Sequence, residues 1–205
     1  MKRYYDKISD NIFNCKNCPT RCDGISKGKY NFSEDVNFSE IYENYIIDLI
    51  NQKPLYFASK CEKEGYPDIE IRNKKDNSIK SYLEIKVQRR TFMSVEKYLP
   101  KANLKPSETL ALNLSDLIRY FKIENEIKIP ISIMWVLLNR PCIVEDGMTA
   151  FHHQTIEELS KIYLKEGNVR RFRRKSGEGD IVDGVHKGVV VNYHFSINEL
   201  KRWYY

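Results

Sequence analysis

The sequence predicts a mixed α/β (α+β) domain with a small mixed central sheet flanked by helices, preceded by a cysteine-rich N-terminal appendage. Three observations carry this reading. Apolar residues recur at helical spacing in three separate stretches, and strict alternation marks a strand hairpin between the first two. Three of the five cysteines crowd into the first 35 residues, which show no sustained period.

Residues 1–35 hold Cys15, Cys18 and Cys22 with Pro19, Gly24 and Gly28, and read as a loop-rich segment that needs something to order it. Residues 36–205 form the expected main domain. It begins with a helix, because Phe38, Ile41, Tyr42, Tyr45, Ile46 and Leu49 repeat every three or four residues. Leu55 to Ala58 is a short strand candidate. Asp68 to Arg72 and Tyr82 to Gln88 alternate apolar with polar around the turn residues Asn73 to Ser78, which predicts a hairpin with one buried and one polar face. Leu110 to Phe121 reads as a helix and Ile129 to Leu138 as a buried strand. Thr155 to Lys165 reads as an amphipathic helix, Asn168 to Gly179 as a basic loop, and Gly188 to Phe195 as a strand. Ser196 is placed to cap a terminal helix from Ile197. Helices and strands thus intermix along the chain, as expected of one layered domain.

At 205 residues, 41% hydrophobic and 30% charged, the chain has enough material for a core of its own. Its 34 basic and 28 acidic residues leave a formal charge of +6, a mild bias toward polyanions. No apolar run approaches the ~18 residues that a membrane span needs, and Met1 to Asp10 is too polar for a secretory signal. A cytoplasmic location without a membrane partner is therefore expected, where structural disulfides are disfavoured. Phosphate-cradling glycine loops, dinucleotide fingerprints and serine-nucleophile elbows are absent.

The residues that carry chemistry lie on the hairpin. Glu84 and Lys86 are two apart in one strand and project to the same face, and hairpin pairing brings Asp68 beside them. Two close carboxylates repel unless a cation lies between them, and oxygen donors suit Mg²⁺ or Mn²⁺. A lysine next to such an ion can orient or deprotonate the attacking water, or offset negative charge in the transition state. The competing reading is that Glu84 and Lys86 form the solvated side of an exposed hairpin. Glu70 and Gln88 share that face, and solvation is the simpler reading for both.

With Pro67, Asp68, Glu84 and Lys86 set on such a hairpin, the chain resembles the PD-(D/E)xK nuclease superfamily. The order of elements from Phe38 to Leu138, roughly half of the chain, follows the same pattern. The resemblance implies a restriction-endonuclease-like core and metal ligation by Asp68, Glu84 and the Ile85 carbonyl. It also implies an acidic residue on the preceding helix, for which Glu43 is the candidate, with Glu40 behind it. The implied activity is a Mg²⁺-dependent DNA endonuclease of restriction or defence type, acting on DNA rather than RNA, with a homodimer if both strands of a duplex are cut.

Two further clusters bear on partners. Cys15, Cys18 and Cys22 with Cys61 match a structural zinc site, with an iron–sulfur cluster as the alternative. Arg170, Arg171, Arg173, Arg174 and Lys175 concentrate positive charge, and Arg89 and Arg90 follow the hairpin directly; all are candidates for the nucleic-acid backbone. The adjacent His152 and His153 point apart in any regular element, so one packed and one solvated imidazole is expected. A zinc-stabilised nucleic-acid-binding module without catalysis is the alternative to a nuclease.

Overall fold

The computed structural model describes residues 32–88, 91–138, 149–175, 181–182, 185–186 and 189–203. Helix α1 (Phe32–Asn51) begins before the predicted start and crosses the boundary expected between residues 35 and 36. Its packed side carries Tyr42, Ile46, Ile47 and Ile50, whereas Ile41 and Tyr45, expected on that side, are 60% and 40% exposed. The helix end is pinned to strand β1 (Tyr56–Lys60) through Asn51, whose amide donates to the Ala58 carbonyl at 3.1 Å and accepts from its N–H at 2.7 Å.

Strands β2 (Ile69–Asn73) and β3 (Ile79–Gln88) form the expected hairpin. After the short helix α2 (Val95–Tyr98) comes β4 (Thr109–Asn113), then helix α3 (Leu114–Ile127). The predicted helix from Leu110 is therefore a strand for its first residues. Leu110 and Leu112 are spaced by two and both fully buried, the strand period, and helical spacing begins only at Leu114.

Strand β5 (Ile131–Leu137) is followed by β6 (Ala150–Thr155), which the sequence reading missed, and α4 (Ile156–Glu166). Thr155 caps α4 by accepting from the Glu158 N–H at 3.3 Å. The basic stretch is a 3₁₀ turn at Gly167–Arg170 and a strand, β7 (Arg171–Lys175), rather than a loop over its described residues. Short strands β8 (Ile181–Val182) and β9 (Val185–His186) pair with each other, and β10 (Val189–Ser196) follows. The helix expected from Ile197 is one 3₁₀ turn (Ile197–Glu199) closed by a Ser196/Glu199 capping box, before β11 (Lys201–Arg202).

Among the described residues, the main sheet runs β1-β2-β3-β5-β6-β11. Strands β3 and β5 are parallel, from Tyr82↔Ile131 to Gln88↔Leu137, and the other pairs are antiparallel, so the sheet is mixed. A second antiparallel sheet has the order β4-β10-β7.

The main sheet is covered on both faces. Leu83, Ile85, Met134 and Val136 pack with Ile46 of α1. On the other side Tyr82, Ile133, Trp135 and Leu137 meet Leu117 and Tyr120 of α3, Leu159 of α4, and Leu112 and Phe195 of the second sheet. The Trp135 indole N–H donates to the Ala111 carbonyl at 3.0 Å, tying the two sheets together. The polar face expected of the hairpin is therefore partly covered, with Glu84 buried in it and Lys86 partly exposed. The hairpin's partner β5 is apolar on both sides, and a strand beside it is covered with it. Among the described residues, no helix is long and apolar enough to cross a membrane.

Candidate active site

The site forms where the covered face of β3 meets α3. Asp68 immediately precedes β2, and the register Ile69↔Leu83, continued by one residue, sets it opposite Glu84. Its Oδ2 accepts from the Ile85 N–H at 2.7 Å, and its carbonyl accepts from the Cys61 N–H at 2.8 Å. The connecting loop turns through Gly65 at φ +76°, which L side chains rarely adopt, and Tyr66 packs edge-on against Tyr82 at 5.3 Å. Asp68 is held by its backbone and its carboxylate together.

Glu84 is only 3% exposed. Its Oε2 accepts from the Tyr120 hydroxyl at 2.6 Å, and its Oε1 lies 2.5 Å from Lys86 Nζ. Lys86 Nζ also lies 3.4 Å from Asp116 Oδ2, while Asp116 Oδ1 pairs with Arg119 at 2.9 Å. Arg119 reaches the Tyr120 hydroxyl at 3.3 Å, which closes a ring through Glu84, Lys86, Asp116, Arg119 and Tyr120. The helical period explains the α3 members. Asp116 and Tyr120 are four apart and share the side facing β3, and Arg119 is three from Asp116.

Charge and burial set the protonation states. Burial, followed by the charge of Glu84, pushes the Asp68 carboxyl up to about 7, against the pull of the Ile85 N–H and Lys86. Burial acts to lower Lys86, but the charges of Glu84 and Asp116 and the hydrogen bond to Glu84 outweigh it and hold its ammonium above the ordinary lysine range. Burial and the neighbouring Glu84 charge also raise Tyr120, so it stays a protonated donor.

The other sequence candidates fall in different places. Glu43 lies on α1 with its side chain 16% exposed and its Oε2 3.6 Å from Lys60 Nζ; its charge still contributes to raising Asp68, so it sits at the margin of the site. Glu70 is drawn to Arg72 at 2.5 Å. Gln88 faces the second sheet, accepting from the Ala111 N–H at 3.2 Å and donating to the Thr109 carbonyl at 3.4 Å.

Arg170, expected to contact phosphates, has a side chain only 7% exposed and pairs with Glu199 at 2.7 Å and Glu166 at 3.3 Å. It is a core ion pair, because the 3₁₀ turn carries it inward and two carboxylates meet it there. Arg171 contacts the Tyr163 hydroxyl and lies over its ring at 5.3 Å, while Arg173 is exposed on β7. Strand β7 includes Arg174 and Lys175, whose side chains lie outside the described residues, as do Arg89 and Arg90. Of the two histidines on β6, His152 is 2% exposed and His153 half-buried.

The donor set around Asp68 and Glu84 fits a hard divalent ion. Asp68 Oδ1 has no protein partner among the described residues. In an extended strand the N–H and C=O of one residue project to the same edge, so the Ile85 carbonyl shares the side on which its N–H meets Asp68. Two carboxylates and a carbonyl, completed by water, are a usual Mg²⁺ set. Among the described residues, no group of three or more His, Cys, Asp or Glu side chains is placed to hold a metal. Cys61 is half-buried, and Cys15, Cys18 and Cys22 lie outside the described residues.

Beside Lys86 a cleft of about 240 Å³ opens between β3 and the second sheet, reaching Asn113 and Asn192. The sequence reading had singled out neither of these, nor Asp116, Arg119 or Tyr120.

No family model matches the sequence, and no curated protein matches it. Among solved structures, the chain is similar to Archaeoglobus fulgidus Hjc, a Holliday junction resolvase from an archaeal hyperthermophile. The identity is 10% and the TM-score 0.41, over 79% of this chain and 86% of that one. That likeness is too slight to carry an argument, and the functional reading rests on the geometry of the site.

Proposed function

We propose that the protein is a divalent-metal-dependent nuclease that hydrolyses phosphodiester bonds, in its specific form a DNA endonuclease of the PD-(D/E)xK type serving restriction or defence. The observation that supports this most is the burial of Glu84 opposite Asp68, with Lys86 held between Glu84 and Asp116. Burying the Glu84 carboxylate next to the partly buried Asp68 and Lys86 is costly unless the charges are paired, and strongly shifted groups of this kind gather at functional sites. A solvated strand surface has no need of such an arrangement.

In this reading Asp68, Glu84 and the Ile85 carbonyl hold Mg²⁺ or Mn²⁺. When bound, the ion supplies Lewis-acid polarisation of the phosphate and of the attacking water. Asp68 must ionise to take part, which from a carboxyl near 7 occurs close to neutral pH. Lys86, held as an ammonium by Glu84 and Asp116 in the metal-free site, is placed to orient the water and to offset charge on the phosphate. Tyr120 fixes one oxygen of Glu84, and Asp116 keeps Lys86 in reach. Glu43 adds negative charge at the margin of the site.

Arg173 on β7, with Arg89, Arg90, Arg171, Arg174 and Lys175, supplies the contacts to the nucleic-acid backbone. Cys15, Cys18, Cys22 and Cys61 would hold zinc, or alternatively an iron–sulfur cluster, to brace the N-terminal segment. Cutting both strands of a duplex takes two copies of the site, hence a homodimer.

The test is incubation of supercoiled plasmid, single-stranded DNA and RNA with the protein in Mg²⁺, Mn²⁺ or EDTA. Metal-dependent cleavage supports the proposal. Salt-dependent binding without any cleavage favours the non-catalytic module instead.

A further inference from the structure

We infer that the cleft beside Lys86 seats an unpaired nucleobase adjoining the scissile phosphate, through the side-chain amides of Asn113 and Asn192. The inference rests on the nuclease reading for the position of that phosphate.

The cleft lies at the seam of the two sheets. Asn113 ends β4 and Asn192 lies on β10, and they are direct partners in the antiparallel register. Cβ atoms of such partners are about 5 Å apart on one face. The alternate residues Leu112 and Tyr193 turn to the other face and are fully buried, which fixes the asparagines on the cleft side. Among the described residues neither amide has a hydrogen-bond partner, and the Asn113 side chain does not cap the helix that it precedes. Two adjacent amides are thus left open beside the Lys86 ammonium.

The chemistry of the lining selects the occupant. Lys86 is the only cation that lines the cleft, among the described residues. A phosphate belongs at that end. Beyond it the walls are Val87 and Ala111, with the neutral amides of Gln88, Asn113 and Asn192. A second phosphate would find no positive charge there. A nucleobase would find apolar surface for its ring and both donors and acceptors for its edge. A base stacked in a duplex reaches a cleft of about 240 Å³ only by leaving the stack, whereas an unpaired base enters without that penalty. The substrate class assigned is accordingly a nucleic acid with an unpaired nucleotide at the cut: a single strand, a flap or a distorted junction.

The test compares binding of hexathymidylate with binding of the abasic hexamer of the same backbone, at fixed salt in EDTA. It uses the full chain, the N113A/N192A double variant and the N192A single variant. The wild type is expected to bind the base-bearing oligomer about tenfold more tightly than the abasic one, in line with ~1.4 kcal/mol per factor of ten. The double variant should bring this ratio to about twofold or less, with N192A between and abasic binding unchanged. Equal binding of the two oligomers by the wild type, or a ratio unaltered in the variants, overturns the inference. No outcome depends on cleavage. Base-dependent binding by a protein that cuts nothing keeps the cleft and removes the nuclease reading; cleavage with no base dependence does the reverse.

Discussion

The Tyr120 hydroxyl donates to Glu84 Oε2 at 2.6 Å, inside the protein and across 36 residues of sequence. It fixes the carboxylate that the proposed mechanism depends on most, and leaves Oε1 to Lys86. A phenol held protonated by burial is a dependable donor for this purpose. Tyr120→Phe keeps the ring and removes only the donor. The expected cost is about 1–3 kcal/mol in stability by denaturant unfolding, together with a cleavage rate lower by about tenfold or more. An unchanged rate would show that Glu84 keeps its place without Tyr120.

Asp116 stands 3.4 Å from Lys86, whose ammonium also pairs with Glu84. When Glu84 engages a metal ion, Asp116 is the carboxylate left to steady the ammonium. Asp116→Asn should lower kcat by about tenfold with little change in KM, since it touches the lysine and not the bound strand. Asp116→Glu should recover part of the loss. A change confined to KM would place Asp116 in substrate binding.

Asp68 gives the protein a pH signature. Its carboxyl moves from an ordinary value of 3.8 to about 7 in the folded chain, so between these values the folded state holds a proton that the unfolded state has lost. This contribution to stability is complete below the unfolded value and is lost as pH rises through about 7. Without divalent ions Asp68 should therefore destabilise the fold more at pH 8 than at pH 5. Mg²⁺ should raise the melting temperature more at pH 8, with proton release on binding near neutrality. Calorimetry of wild type and Asp68→Asn checks this, and the variant should lose the pH dependence of the Mg²⁺ effect.

The central geometry was legible in the sequence because it is local. Glu84 and Lys86 are two apart in a clearly alternating strand, and the turn at Asn73 to Ser78 brings Asp68 opposite them. What roofs the hairpin was not legible. Helical period says that Tyr120 lies in an apolar stripe with Leu117 and Ile123, but not which sheet face that stripe covers. That the polar hairpin face is covered by α3 was hidden for the same reason. Strand β4 was hidden because Leu110 and Leu112 run directly into the helical leucines 114 and 117. Within the basic run, nothing local separates Arg170 from its neighbours except Glu166 four residues earlier.

Arg170 and Arg173 should consequently behave in opposite ways. Arg170→Ala strands two carboxylates at a nearly buried pair and should cost about 3–5 kcal/mol in unfolding free energy. Arg173→Ala should leave stability within about 0.5 kcal/mol and weaken DNA binding at low salt. It should also reduce the slope of log affinity against log salt by about one. Denaturation and salt-titrated binding on the two variants distinguish a core ion pair from a backbone contact.

The most direct measurement of the central claim is cleavage of single-stranded DNA in Mg²⁺ by the wild type and by Lys86→Ala, with circular dichroism showing both folded. The account predicts cutting by the wild type that EDTA abolishes, and a rate at least about a hundredfold lower in the variant. Equal cutting by the two proteins would contradict it, because the ammonium between Glu84 and Asp116 would then have no part in the chemistry.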